Sequence, residues 1–331
     1  CTPEQVIQFF TSHGCPTKTE RGNRVFPVSD MSSSVLGCLK EQLHRNGVTV
    51  RYEKALQILE TEGSVCGVQT HSGRIDCDWV ILATGGLSYP ATGSTGDGYV
   101  MAQKLGHEIV APEGSLVPLE IREQDCLQMQ GLSLRNVEVK LISGKNKLLY
   151  KDFGELLFTH FGVSGPTVLS ASAHLIGNDC KLCIDLKPAL DEGKLNDRIL
   201  RDLEQYKNRS MENALTDLLP RAMIPVVLAR VGVDGGMQAN SLRKEQRREL
   251  VQTLKCFQLN IIGKRPIEES IITSGGIKVS QINPKTMESK LIRGLYFAGE
   301  IIDCDAYTGG FNLQIAWATA CAAAMAVKNC H

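Results

Sequence analysis

Neither sign of charge is in surplus. Lys plus Arg number 36 and Asp plus Glu number 36. A protein that grips nucleic acid over a broad surface usually carries a basic excess, so the balance argues against that class and for a small-molecule substrate. Also missing are a run of eighteen apolar residues and the pattern of a signal peptide. The most apolar stretch, Ile315 to Val327, is too short to cross a bilayer and reads as a buried helix. There is no internal repeat and no low-complexity tract. The twelve cysteines are scattered, and only Cys180 and Cys183 form a CxxC. That pair sits in a segment that reads as a strand, where residues three apart point to opposite faces and do not converge on one metal. No second CxxC or HxxxH completes a ligand set, so the expectation is no metal. Scattered thiols fit a reducing, cytoplasmic setting.

What is present is ordinary for a folded protein: 331 residues, 43% hydrophobic and 22% charged, enough for two or three domains with a sizeable core. The chain opens on Cys1 rather than Met and enters a helix-like segment at Pro3 to Phe10, as a fragment or processed form would. Ser32, Ser33 and Ser34 offer caps for a helix through Val35, Leu36, Leu39 and Leu43, which Gly47 stops. Alternation predicts a strand at Val48 to Tyr52. Leu56 to Leu59, Val65 to Thr70 and Arg74 to Cys77 read as a small antiparallel meander. Trp79 to Ala83 is a continuous apolar run, the pattern of a parallel strand buried on both faces. A short helix is predicted over Val100 to Leu105. From Ser115 to about Asp185 the texture becomes short alternating strands at Leu116 to Leu119, Val137 to Leu141 and Leu182 to Asp185. From Asp191 to Cys256 apolar residues recur at helical spacing, with a charged face at Arg243, Lys244, Glu245, Arg247 and Arg248 that reads as solvated. After Ile271 an α/β texture returns, ending in the strand Leu295 to Ala298 and an alanine-rich helix from Leu313.

Three glycine-containing segments carry the chemistry. The buried strand ends in Ala83-Thr84-Gly85-Gly86, and ligands bind open parallel sheets outside the carboxyl ends of their strands. Gly93-Ser94-Thr95-Gly96-Asp97-Gly98-Tyr99 opens a helix without being a GxGxxG fingerprint; it is either an anion-binding helix start or a tight loop capped by Asp97. The most specific is Gly299-Glu300 after a strand, followed by Tyr307-Thr308-Gly309-Gly310-Phe311-Asn312-Leu313-Gln314 at the start of the last helix. An acidic residue after a strand can accept hydrogen bonds from sugar-alcohol hydroxyls. A glycine-opened helix start offers backbone donors and a positive dipole end to a ligand edge that gains negative charge. The bland alternative is a glycine-capped core helix.

Taken together these blocks resemble a known family. The Ala83-to-Gly86 and Gly93-to-Tyr99 segments, Thr273-Ser274-Gly275-Gly276-Ile277, Pro284 to Lys290, Gly294 to Asp303 and Tyr307 to Ala316 look like the BaiN/aminoacetone-oxidase-like family of NAD(P)/FAD-utilising flavoproteins. Arg24 to Asp30 and Phe158 to Pro166 match it as well, so the resemblance runs from about Glu20 to about Ala324. Fumarate-reductase-type flavoproteins are a more distant likeness. The resemblance implies an α/β protein with a two-part FAD-binding Rossmann-like domain, an inserted β-barrel-like domain and a helical domain. The corresponding boundaries are 1–114 for the first part of the FAD domain, 115–190 and 257–275 for the β-rich insert, 191–256 for the helical domain and 276–331 for the second part of the FAD domain. It implies FAD contacts at Ala83, Thr84 and Gly85, at Gly299 and Glu300, at Gly309, Gly310, Phe311, Asn312, Leu313 and Gln314, and an adenine contact through the backbone near Ala55. NAD(P)H is an expected electron donor. The same family carries, ahead of these motifs, a strand with a GxGxxG turn, an acidic residue and a basic glycine-rich stretch, and none of these lies in the 331 residues. Two expectations follow: an FAD-dependent oxidoreductase passing electrons to a second acceptor such as oxygen, or a truncated, flavin-free relative of one.

Because the flavin performs the redox step, few catalytic side chains are required. The polar candidates for a place over the ring are His160, Arg24 and Tyr307, as a proton carrier, a partner for an acidic substrate, and a proton donor or lid. His160 and Arg24 have structural alternatives, respectively a structural histidine and an ion pair with a carboxylate. Asp303 and Asp305 flank Cys304 beside the same loop, as amine ligands or turn caps. Cys304, with no partner cysteine spaced for it, reads as inert.

Overall fold

A computed structural model describes residues 1–20, 22–177 and 179–329. The chain divides into two compact units, Cys1–Gly114 with Ile271–His331, and Ser115–Ser270. In chain order the first unit opens with α1 (Pro3–Ser12), β1 (Thr17–Glu20), β2 (Arg24–Pro27), α2 (Ser32–Arg45), β3 (Ala55–Thr61), β4 (Ser64–Thr70), β5 (Gly73–Asp76), β6 (Val80–Leu82), α3 (Asp97–Lys104) and β7 (Ile109–Ser115). The second unit holds β8 (Leu119–Ile121), α4 (Asp125–Gln128), β9 (Ser133–Ser143), β10 (Leu148–Thr159), β11 (Gly162–Ser164), α5 (Pro166–Ser172), β12 (Cys180–Asp185), α6 (Glu192–Gln205), α7 (Met211–Ala214), α8 (Ile224–Arg230), α9 (Lys244–Lys255) and β13 (Phe257–Lys264). The first unit is completed by β14 (Ile272–Ile277), β15 (Leu295–Phe297) and α10 (Phe311–Lys328). Among the described residues no helix is long and apolar enough to cross a membrane.

In the first unit, α1 starts with a reciprocal cap. The Thr2 hydroxyl accepts from the Gln5 N–H, and the Gln5 side chain accepts from the Thr2 N–H. Its Phe10 meets Trp317 of α10 edge-on at 5.5 Å, over a small core with Cys15 and Cys38. The serines expected to cap α2 lie inside its first turn instead. The cap position is Met31, with no side-chain hydrogen bond, while the Ser34 hydroxyl pairs with that of Ser29 at 2.7 Å. β3, β4 and β5 form the antiparallel meander that alternation predicts. β6 pairs in parallel with β15, Val80 opposite Leu295 and Leu82 opposite Phe297, and β7 pairs with β14. The core of this unit gathers Leu82, Leu295 and Phe297 with Ile58, Tyr99, Met101, Ala102, Ile277 and Ile301.

Two expectations are corrected here. Val48 to Tyr52 is not a strand, and Tyr52 is 94% exposed. Alternation sets which way side chains point, but a strand also needs a hydrogen-bonding backbone neighbour, and no described strand pairs with this segment. The apolar run around β6 is not buried on both faces, because Leu82 enters the core while Ile81 stays 42% exposed.

The second unit is a closed antiparallel barrel in the order β10-β11-β8-β13-β12-β9. Alternating residues of its strands, among them Val139, Leu141, Leu156, Phe158, Leu182, Ile184 and Phe257, fill the core. The helices bury their apolar faces in that same core through Leu195, Ile199, Leu215, Leu250 and Leu254. Asp191 caps α6 by accepting from the Lys194 N–H at 2.8 Å. On α9, Lys244, Glu245 and Arg248 face solvent, as the charged face predicts. Leu116 to Pro118 precede the first barrel strand rather than forming part of it. The cysteines are less scattered than their spacing suggests: Cys183 is disulfide-bonded to Cys256, 73 positions further on. Cys180, the other half of the CxxC, remains a free buried thiol.

Candidate functional site

The loop that follows β6 and the Gly299-Glu300 turn meet in the first unit at β14. Its residues tie down one neighbouring segment after another. The Thr273 hydroxyl accepts from the Leu87 N–H at 2.7 Å and from the Ser88 N–H at 3.1 Å, hanging the loop that follows β6. The Ser274 hydroxyl donates to Asp305 at 3.1 Å. Gly275, at φ +88°, packs its α-carbon against the Ala111 carbonyl so closely that a Cβ would overlap it, and the Asp303 N–H donates to the Ile277 carbonyl at 3.0 Å.

Glu300 lies at the centre of this arrangement. Its Oε1 accepts from the Ser88 hydroxyl at 2.9 Å and from the Thr273 N–H at 2.6 Å. No hydrogen bond among the described residues engages its Oε2. Ser88 and Thr273 are almost fully buried, at 5% and 2% exposure, and the side chains of both are satisfied. Gly86 leaves room for the cluster, since a Cβ there would strike the Thr273 side chain and come within 3.0 Å of Glu300 Oε1. The Tyr99 hydroxyl reaches the Glu300 carbonyl at 3.5 Å. Burial, then the charges of Glu300 and Asp303, push its pKa up to about 12, so Tyr99 stays protonated and acts as a donor.

Beyond Glu300 the chain runs to the start of α10. Asn312 clamps the approach: its Oδ1 accepts from the Ala306 N–H and its Nδ2 donates to the Ala306 carbonyl, both at 2.8 Å. Gly309 and Gly310 hold φ of +118° and +93°, where other residues are strained, and no side chain caps the helix. The first-turn N–H groups of an 18-residue helix are therefore uncapped, beside the exposed Phe311 and Leu313. The Gly299 N–H is already used, donating to the Thr319 hydroxyl at 3.0 Å. An open carboxylate oxygen and, close in sequence, an uncapped, glycine-opened helix start leave one acceptor and several backbone donors available to a ligand.

The expected site residues are distributed as follows. Ala83 and Thr84 are exposed just past β6, and Gly85 sits at φ +75° with Ser94 against it. Ala55 begins β3. The Gln314 side chain donates to the Cys1 carbonyl at 3.0 Å, so its amide is engaged within the chain. Tyr307 is 44% exposed next to the Asn312 clamp. Arg24 lies on β2 with its guanidinium 5.8 Å from the ring centre of Phe26 on the same strand. His160 belongs to the other unit, exposed at the turn between β10 and β11 with its ring 5.0 Å from Phe161. Asp97 is not the cap of α3. Gly96 takes that place, and Asp97 accepts from Thr95 and Lys54, each at 3.0 Å. Around Cys304, burial and the neighbouring Asp305 and Asp303 raise the thiol pKa, which favours the unreactive thiol over the thiolate. Burial, then Asp305, likewise raises the Asp303 carboxyl. Ser88 was not singled out by sequence, and Thr273 entered only as the first residue of the Thr273-to-Ile277 motif, with no role of its own; the available signal was a hydroxyl residue two positions before the paired glycines Gly275 and Gly276.

Comparison with known proteins adds the following. The model of the HI0933-like protein Rossmann domain family matches residues 1–326. A 3-dehydro-bile acid delta(4,6)-reductase of Clostridium scindens is 28% identical over 320 residues, covering 95% of this chain and 78% of its own length. A ribosomal RNA dihydrouridine synthase of Haemophilus influenzae is 32% identical over 267 residues, covering 79% of this chain and 63% of its own length. Among solved structures, the apo Sdh1 complex of Mycobacterium smegmatis is similar with a TM-score of 0.36 and 14% identity, over 98% of this chain and 53% of that one. GidA of Aquifex aeolicus is similar with a TM-score of 0.33 and 13% identity, over 90% and 49%. The chain spans about half the length of these two structures, and likeness at this level carries no argument.

Proposed function

The chain belongs to the HI0933-like Rossmann-domain family, and from that premise we propose that it is an FAD-dependent oxidoreductase whose own residues hold the flavin and handle substrate. The observation that carries the reading is Glu300, with Oε1 saturated by Ser88 and Thr273 and Oε2 left to accept from a ribityl hydroxyl. The uncapped N–H groups from Phe311 to Leu313, behind Gly309 and Gly310, stabilise negative charge at the flavin pyrimidine edge, aided by the positive end of the α10 dipole. Backbone at Ala83, Thr84 and Gly85 lies against the cofactor without side-chain bulk, Gly299 keeps the turn before Glu300 tight, and the backbone at Ala55 serves the adenine end. The Asn312 and Gln314 side chains are internal ties, so their contribution is to hold the helix start rather than to bind through their amides. When bound, FAD supplies hydride acceptance and electron transfer to a second acceptor such as oxygen. Tyr307 is the proposed proton donor, and Arg24 the proposed partner of an acidic substrate group.

The relatives are named for reducing a 3-dehydro-bile acid and for making dihydrouridine in ribosomal RNA. Both names support reduction of an organic substrate, and NAD(P)H is the proposed donor. The balance of 36 basic against 36 acidic residues favours the small molecule over the RNA. The test is a visible absorption spectrum of the purified 331-residue chain after incubation with FAD and gel filtration, followed by NAD(P)H oxidation under air. Flavin bands travelling with the protein support the reading. A colourless protein that also leaves NAD(P)H untouched favours the alternative, a flavin-free and non-catalytic form.

A further inference from the structure

Resting on the FAD reading above, we propose that Thr273 is a positioning residue for the cofactor, acting through Glu300 and assisted by Ser88. Thr273 makes two kinds of contact at once. Its N–H donates to Glu300 Oε1, and its hydroxyl holds the backbone of Leu87 and Ser88. Ser88, so placed, delivers its own hydroxyl to the same Oε1. One oxygen of the carboxylate therefore receives two donors, both from nearly buried residues, while the other receives none among the described residues. This asymmetry fixes the plane of the carboxylate and dedicates Oε2 to an outside hydroxyl. The segments it joins are far apart in sequence: 185 residues separate Ser88 from Thr273, and 27 separate Thr273 from Glu300. The loop after β6 and the acidic residue after β15 are both proposed to line the same cofactor, so one side chain sets the relative position of two of its walls. Gly86 belongs to the same device, because a side chain there would displace Thr273.

The test is a binding cycle read by quenching of flavin fluorescence during FAD titration, with no turnover involved. Thr273→Val removes the hydroxyl and keeps the N–H. It should weaken FAD binding at least about tenfold, which is about 1.4 kcal/mol. Thr273→Ser restores the hydroxyl and should return the affinity to within about threefold of the unsubstituted chain, given typical context effects on one hydrogen bond. Glu300→Ala, which removes both carboxylate oxygens, should weaken binding by itself, and Thr273→Val should then cost clearly less than it does in the unsubstituted chain, because most of its effect passes through that carboxylate. Full additivity of the two losses, or an unchanged affinity in Thr273→Val, overturns the proposal. Should Thr273→Val fail to fold, Ser88→Ala, which removes one of the two donors to Oε1, carries the same cycle with Glu300→Ala. If the unsubstituted chain takes up no FAD, the FAD reading falls and this inference with it. That outcome appears before any substitution is made, so the two failures are told apart.

Discussion

The two units are stabilised in different ways. The barrel unit surrounds one continuous apolar core, in which Leu119, Val139, Leu141, Leu156, Phe158, Leu182 and Leu254 are wholly shielded from water. The other unit has a smaller core and leaves many large apolar side chains in contact with solvent, among them Val48, Val50, Ile81, Phe311 and Leu313. Its ordering falls to polar brackets that reach backbone: Thr273 to Leu87 and Ser88, Asn312 to Ala306, and His107 to Ala102. In the barrel, position is enforced by volume, since a close-packed core resists any change of shape. In the other unit it is enforced by direction, since hydrogen bonds depend on the placement of single atoms. A region that must present bare backbone and one free carboxylate oxygen to a ligand cannot also cover them with packed side chains.

The largest expected effect tests the barrel side of this contrast. Phe257 is fully buried, meets Phe158 edge-on at 6.4 Å and carries the Arg230 guanidinium 3.7 Å from its ring centre. Arg230 in turn pairs with Asp125 at 2.6 Å and donates to the Gln258 carbonyl at 2.7 Å. Phe257→Ala should destabilise the unit by about 3–5 kcal/mol, read as a lower midpoint in urea unfolding. A loss below about 1 kcal/mol would mean that the core is not the tightly packed body inferred from its burial. Next in size is Gly86→Ala, which adds one methyl group where Thr273 and Glu300 already sit. The backbone there is not in the left-handed region, so the strain comes from contact alone. A cost of about 1–3 kcal/mol is expected, together with weaker FAD binding. If Gly86→Ala is neutral on both measures, the bracket is soft and the contrast between volume and direction fails.

What the sequence makes legible follows the same division. Local patterns show plainly: the meander from β3 to β5, the strand at Leu295, and the Gly309-Gly310 pair opening the last helix are all read from neighbouring residues. Contacts across the chain are not. Nothing near Thr273 reveals that its hydroxyl meets the loop at Leu87, and nothing near Cys183 points to Cys256. Closure of the barrel joins Ile121 in β8 to Ile261 in β13, a pairing that alternation in either strand cannot announce. Val48 to Tyr52 shows the converse case, in which a sound local pattern yields no strand because no backbone pairs with it. For the candidate site, the acidic residue and the glycines were visible because their chemistry is carried on short motifs. Their supports were not, because hydroxyl residues are common and gain meaning only through a partner.

A third prediction concerns acid. His107 is buried, its Nδ1 3.2 Å from the Ala102 carbonyl and its Nε2 2.8 Å from the Ser289 hydroxyl. The Ser289 oxygen already accepts from the N–H groups of Leu291 and Ile292, so its proton is free to go to Nε2, and Nδ1 carries the ring hydrogen. That is the neutral imidazole, and burial lowers its pKa below the ordinary value. The unfolded chain, with a histidine pKa near 6.5, then binds more protons than the folded one as pH falls below about 6.5, so stability drops there and levels off once the pH passes the lowered folded value. The thermal midpoint should fall between pH 7.5 and 5.5, and less steeply in His107→Gln. Equal slopes in the two proteins would remove His107 as the cause.

The smallest expected effect is also the sharpest control on the contrast, because it concerns parts in which the units do not differ. Glu41 and Arg45 pair at 2.7 Å on α2 of one unit, and Glu204 and Lys207 pair at 3.1 Å in the other, all with side chains at least half exposed. Water screens both pairs, and holding long side chains together offsets most of the attraction. Glu41→Gln and Glu204→Gln should each shift stability by less than about 0.5 kcal/mol, measured by urea unfolding beside Phe257→Ala. A loss of more than about 1 kcal/mol from Glu41→Gln alone would show that surface charge, too, orders the first unit. The division would then lie between a packed body and one held polar throughout, rather than in how each unit fixes its buried parts.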